Sequence, residues 1–325
     1  MEVRIVVFGY HDIGVACLQE FLDQRANIVA VVTHRDDPGE TIWFDSVAEL
    51  ATAQGIPVMT PQEPNAPAFV GEVRRLRPDL IFSFYYRQLL SPAILAIPPL
   101  GAINLHGSLL PKYRGRAPLN WVLVHGERMT GVTLHYMDAR ADHGDIISQR
   151  AVPIAIEDTA LTLWRNLTTA ARALLAETFP LIVAGRAPRV PQDHTAATKF
   201  GRRTPADGLI AWSHSAWEIY NLIRAVTRPF PGAFTFWDDR RIFLWSARPP
   251  RGRASPAPAG TVLGVGVGGA LEVATGDGVL EVLQIQPEGG AEMDGATFLS
   301  TMRGGASARF SSLEPQVVEG GRRQH

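Results

Sequence analysis

Through roughly the first 190 residues, short apolar runs rich in Val, Ile and Phe alternate with longer stretches whose apolar residues recur at helical spacing. Val3–Phe8, Ile28–Thr33, Leu80–Phe84, Gly101–Leu105 and Val132–Tyr136 read as strands. Ile13–Gln24, Ser46–Gln54, Pro67–Arg77 and Leu161–Ala184 read as helices. Strands that are apolar on both faces need covering on both, and strands separated by helices join most readily in parallel. The alternation therefore predicts an α/β fold of Rossmann-like type, a mostly parallel sheet between two helical layers. Gly9 and Gly14 follow the first strand, yet Gly9-Tyr10-His11-Asp12-Ile13-Gly14 lacks the spaced third glycine of a dinucleotide site. No NAD is expected.

The pattern changes near residue 190. Arg186 to Thr204 is rich in Pro and polar residues, which places a linker at 190–204 after a first domain of 1–189. Ser215-Ala216-Trp217-Glu218 has the spacing of a capping box and predicts a helix running to about Arg224. Ala233–Trp237, Arg241–Trp245, Thr261–Val265, Leu271–Ala274 and Val279–Gln284 follow as short strands between Gly, Asp and Pro turns. Such spacing predicts a small β-barrel, OB-like, over 205–303, closed by an Asp294–Met302 helix. From Gly304 to His325 apolar residues are few, and this tail is expected to be disordered.

Composition excludes several classes. A chain of 325 residues is too long for one ordinary small core. The formal net charge of −1 and an isoelectric point of about 6.8 carry no sign of a polyanion partner, so no nucleic-acid partner is expected. No segment approaches the apolar length of a membrane span, and Met1-Glu2-Val3-Arg4 runs straight into a strand without a signal-peptide pattern. The expected setting is cytoplasmic, with no membrane insertion. Cys17 is the only cysteine and reads as a small core residue.

Chemistry concentrates after the fourth expected strand. Asn104 and His106 stand two apart, so they leave the sheet on one face, and Gly107 then ends the strand. Open α/β sheets bind ligands at that end. A lone Asn-x-His usually does no more than satisfy loop backbone. Here it precedes Pro111-Lys112-Tyr113-Arg114-Gly115-Arg116-Ala117-Pro118, a loop of three cations between Gly and Pro breakers. Asp142 and Asp145 follow in a second polar loop, where Asp145 reads as a turn residue before the Ile146-Ile147 strand. His143 has no convincing metal-ligand spacing with His135 or His125, so it reads as a solvated loop residue and no metal is expected.

With these residues in view, the chain resembles the folate-dependent formyltransferases, which include methionyl-tRNA, phosphoribosylglycinamide and nucleotide-sugar formyltransferases. Asn104, His106 and Asp142 match the family's catalytic signature. Tyr10-His11-Asp12, Phe82 to Arg87, Asn104 to Leu123, Phe200 to Pro205, Arg224 to Val226 and Pro231 to Phe234 are most similar to one branch of it. That branch acts on UDP-4-amino-4-deoxy-L-arabinose in the lipid A modification behind polymyxin resistance. The resemblance implies 10-formyltetrahydrofolate as co-substrate and a nucleotide sugar as acceptor. It implies that the main chain of Gln88, Leu89 and Leu90, with Asp138, Ala139, Arg140, Ala141 and Asp142, holds the pteridine, and that Arg116 contacts the folate. Arg202, Arg203 and Arg224 read either as diphosphate contacts or as salt-bridge residues. Members of the branch continue into an NAD-dependent decarboxylating dehydrogenase, whereas this sequence stops at His325. A free-standing formyltransferase is the expectation, with a separate dehydrogenase of the pathway as partner; another amino sugar, or methionyl-tRNA, is the alternative acceptor. A homo-oligomer is left open.

Overall fold

The computed structural model describes residues 2–238, 240–301 and 309–312. Two compact units divide the chain: 1–122, 127–155 and 162–202 form one, and 123–126, 156–161 and 203–325 the other.

The first unit is built on a seven-stranded sheet. Its strands are β1 (Arg4–Gly9), β2 (Asn27–Val32), β3 (Val58–Met59), β4 (Leu80–Phe84), β5 (Ala102–His106), β7 (Met129–Tyr136) and β8 (Ile146–Pro153), in the order β3-β2-β1-β4-β5-β7-β8. The five strands from β3 to β5 are mutually parallel, and β7 and β8 extend the sheet antiparallel. The helices are α1 (His11–Asp23), α2 (Val47–Ala53), α3 (Pro67–Leu76), α4 (Pro92–Leu95), α5 (Pro118–Val124) and α6 (Ala160–Val183). A further two-stranded ladder pairs β6 (Arg114–Gly115) with β9 (Lys199–Phe200) in parallel.

Period two decides which residues meet which layer. Val6, Phe8, Ala30, Val32, Ile81 and Ala102 share one face and pack with Phe69, Val70 and Val73 of α3 and Ile94 of α4. On the other face Phe21 of α1 meets Phe82 and Phe179 of α6, each at 4.8 Å between ring centroids. Burying each such ring stabilises the fold by roughly 1.5–3 kcal/mol. Arg172 of α6 pairs with Glu20 and Asp23 of α1, fastening the two helices on their solvent side.

In the second unit the capping box forms in both directions. Ser215 Oγ accepts from the Glu218 amide at 3.2 Å, and the Ser215 amide donates to Glu218 Oε2 at 2.8 Å, opening α7 (Ala216–Val226). Strands β10 (Ala233–Trp237), β11 (Arg240–Ala247), β12 (Val262–Val265), β13 (Leu271–Ala274) and β14 (Val279–Pro287) form one antiparallel sheet, β10-β11-β14-β13-β12, followed by α8 (Gly295–Thr301). The tail expected to be disordered from 304 is described only at 309–312, and there it is ordered. Ser311 bridges Phe236 of β10 while Arg309 bridges Thr261 beside β12, so this short segment links the two edge strands of the sheet. The physical reason is one residue: Phe310 is 3% exposed and stacks with Trp212 and Phe298. Among the described residues no helix is long and apolar enough to cross a membrane.

Candidate active site

β5 delivers two polar side chains to its carboxyl end. Asn104 lies directly opposite His135 of β7, and its Nδ2 donates to His135 Nε2 at 3.1 Å. The other nitrogen of that ring, Nδ1, lies 2.8 Å from the Tyr136 carbonyl, which assigns the proton to Nδ1 and leaves Nε2 to accept. His106, 6% exposed, donates from Nε2 to the Tyr113 carbonyl at 2.8 Å. Its Nδ1 lies 3.4 Å from Asp142 Oδ1, within ion-pair reach but longer than a well-formed hydrogen bond.

Asp142 gathers the site. Oδ2 accepts the Gly115 amide at 2.9 Å, and Oδ1 also faces His135 Nε2 at 3.7 Å. Burial alone would raise this carboxyl, but the His106 ring and the Gly115 amide outweigh it and hold the group far below the usual carboxylate range. The carboxylate is therefore charged at neutral pH. Its backbone is left-handed, φ 53°, a conformation that Asp reaches more readily than most residues but that is still disfavoured outside glycine. Gly144, two residues on, passes so close to the Tyr136 carbonyl oxygen that a Cβ would lie 2.1 Å from it. Gly115 takes φ 99° against the Phe200 carbonyl, where a Cβ would lie 2.2 Å away.

The residues expected to hold folate fall in two segments that meet at the Gly115-Arg116 turn. Gln88 and Leu89 are exposed and Leu90 is buried. Asn65 braces them, its Nδ2 donating to the Leu89 carbonyl at 2.8 Å and its Oδ1 accepting the Ser91 amide at 2.7 Å. Arg116 reaches this turn through Nη2, which donates to the Arg87 carbonyl at 3.2 Å. In the second segment Asp138 Oδ1 accepts the Arg140 amide at 2.7 Å, while Ala139 and Arg140 are exposed and Ala141 is half-buried. His143, expected as a solvated residue, instead contacts Asp138 Oδ2 through Nδ1 at 2.7 Å and stacks on His194 at 4.1 Å. Packing from the presumed linker, invisible in local sequence, is the reason.

The arginines weighed as diphosphate contacts are differently placed. Arg224 is buried, its Nε donating to Asn221 Oδ1 and its Nη1 to the Asp158 carbonyl, and Arg203 donates to the Asp207 carbonyl. Arg202 is exposed. Around the carboxyl ends of β1 and β2 an aromatic cluster forms instead. His11 stacks on Phe44 at 3.7 Å and meets Trp43 and Trp164 edge-on, and burial with the nearby Arg87 charge pushes its imidazole down to about 3. His34 stacks on Tyr86, accepts the Arg87 amide at Nε2, and is pushed down to about 4 by burial and then by Arg87. Among the described residues no group of three His, Cys, Asp or Glu side chains could hold a metal ion.

Two residues at this site carry no local sequence signal for their place in it. His135 was weighed only as a metal ligand; its role follows from strand register, which local pattern does not reveal. Gln192 lay in the presumed linker and carried no signal.

Comparison with known proteins gives this geometry a family. Residues 3–179 match the family described as formyl transferase, and residues 202–303 match its C-terminal domain. Among solved structures, the chain is similar to WlaRD, a sugar 3N-formyl transferase determined with dTDP and 5-N-formyl-THF: TM-score 0.67, 21% identity, over 87% of this chain and 98% of that one. The N-formyltransferase from Helicobacter canadensis, in complex with folinic acid and dTDP-3-aminofucose, gives 0.67 at 22% identity over 86% and 98%. A sugar N-formyltransferase from Shewanella sp. gives 0.59 at 16% identity over 71% and 92%. At such identities the likeness to these structures is one of fold. The N-terminal family, however, spans more than half of the sequence by itself, and the chain belongs to it as a formyl transferase.

Proposed function

We propose that the protein transfers a formyl group from 10-formyltetrahydrofolate to the amine of a nucleotide-linked amino sugar, and that the acceptor is the 4-amine of UDP-4-amino-4-deoxy-L-arabinose. The observation that carries the reading is the meeting of Asn104, His106 and Asp142 at the carboxyl end of β5. The donor supplies an activated formyl carbon whose oxygen gains negative charge as an amine attacks. Asn104 stands ready to donate there: His135 holds one amide N–H and so orients the other. His106 takes the proton that the amine must lose and gives it to the folate nitrogen as the bond from that nitrogen to the formyl carbon breaks, releasing tetrahydrofolate, and Asp142 balances the charge the ring carries in between. Because the Tyr113 carbonyl anchors Nε2 and Asp142 Oδ1 faces Nδ1, the ring turns little during that exchange.

The chemistry of the two loops suits a folate. The Leu89 carbonyl is taken by Asn65, so main-chain pairing with a pteridine edge runs through the other N–H and C=O groups of Gln88, Leu89 and Leu90 and through Asp138 to Asp142. Arg116 offers a planar guanidinium to a carboxylate-bearing ligand. Support for a sugar acceptor comes from the relatives in complex with dTDP or dTDP-3-aminofucose, and support for the arabinose from the strings Tyr10-His11-Asp12 and Phe200 to Pro205.

The test incubates the protein with 10-formyltetrahydrofolate and, in separate arms, a panel of UDP-, dTDP- and GDP-linked amino sugars and charged initiator tRNA, with product read by mass spectrometry. Formylation of the UDP-arabinose amine is the expected result. Formylation of a different sugar alone replaces the acceptor, formylation of charged initiator tRNA alone overturns the sugar reading, and none at all overturns formyl transfer.

A further inference from the structure

Gln192 lies between the two stretches that the formyl transferase families match, yet it is 6% exposed and its carboxamide is fully engaged. Nε2 donates to the carbonyls of Asp142 at 3.1 Å and Gly144 at 2.7 Å. Oε1 accepts from Arg114 Nη2 at 2.5 Å. Arg114 precedes Gly115, whose amide donates to the Asp142 carboxylate, so the hydrogen bonds form a closed ring from Gln192 through Asp142 and Gly115-Arg114 back to Gln192. Asp142 is thereby held at both ends, by its carboxylate and by its own carbonyl.

The neighbouring residues of the segment reinforce the ring. His194 meets Arg114 Nη2 through Nδ1 at 2.9 Å and stacks on His143. Val190 bridges Ile146, and Thr198 receives the Tyr113 amide on its hydroxyl and the Arg114 amide on its carbonyl. The segment 190–200 thus runs along both loops that converge on His106. The ring supports the left-handed backbone at Asp142, because an Asp without these partners samples other conformations that carry its carboxylate away.

We propose that Gln192 is a positioning residue for formyl transfer: it fixes the Asp142 peptide and so keeps the carboxylate against His106. The proposal rests on the formyl-transfer reading above. Full-length Gln192→Ala and Gln192→Glu test it, the second keeping size and the Arg114 partner while turning an oxygen toward two carbonyls. Expected in both is a kcat loss on the order of ten- to hundredfold with KM for either substrate changed by less than about threefold. The pH profile of kcat/KM is displaced, and the Gly115 amide proton shifts in the NMR spectrum of the free protein. His194→Ala, which keeps Gln192, is expected to show the same changes in milder form. A folded Gln192→Glu protein with wild-type kcat, pH profile and Gly115 resonance overturns the proposal. So does a lowered melting temperature with an unchanged profile, which marks a mere brace. If wild type itself transfers no formyl group, the functional reading fails, while the Gly115 resonance still reports on the ring.

Discussion

Removing the carboxylate charge while keeping its shape separates what Asp142 does from what it occupies. Asp142→Asn and His106→Ala are expected to lower turnover by about a hundredfold or more while folate binding, followed by fluorescence titration, stays near wild type. Near-wild-type turnover in either would remove that residue from the chemistry. Acid stability separates two groups of residues. The His11 and His34 rings stay neutral in the fold down to about 3 and about 4, whereas unfolded imidazoles take up protons near 6.5. The unfolded state therefore binds more protons as pH falls from about 6.5, and urea midpoints are expected to drop through that window. His11→Asn, an exchange that the left-handed φ of 69° tolerates, is expected to flatten the drop; an unchanged slope would place the effect elsewhere. Asp142 acts lower down, its stabilisation present above the ordinary carboxylate range and lost only in stronger acid. Of these residues, the shared face of Asn104 and His106 was legible from a two-residue period. Asp142 was legible only by resemblance, and the position of His135 depends on register across β5 and β7.

Elements with strong local signals lay close to where the sequence places them. β1, β2, β4, β5 and β7 and helices α1, α2, α3 and α6 arise from apolar periodicity, and the capping box at Ser215 and Glu218 forms as its spacing demands. Ser215→Ala is expected to cost about 1 kcal/mol, read as a lowered urea midpoint at unchanged kcat. A neutral midpoint would mean that α7 takes its start from packing alone. The ladder of β6 and β9 was not legible, since two-residue strands have no period and exist only because distant segments meet. Only the start of β8, the Ile146-Ile147 strand, was legible: Ser148, Gln149 and Arg150 interrupt its apolar run at the sheet edge, where one strand margin faces solvent.

At the scale of the whole molecule, a polar stretch near the end of the sequence contributes most unexpectedly. Phe310 is a single aromatic in a polar stretch, yet its burial seats residues 309–312 between β10 and β12. Phe310→Ala is expected to destabilise the protein by about 3 kcal/mol or more and to leave two sheet edges prone to association. Chemical denaturation and light scattering check this, and a stable, monodisperse variant would contradict it. Similarly, a stretch that reads as connector holds the Asp142 loop through Gln192. Chain synthesis runs in one direction, and Asn104, His106 and Asp142 all leave the ribosome before Gln192 and β9. A nascent chain of about 150 residues thus carries all three side chains of the proposed site but lacks the segment that the hydrogen-bonded ring needs, and on the proposal above competence arrives only when the connector follows.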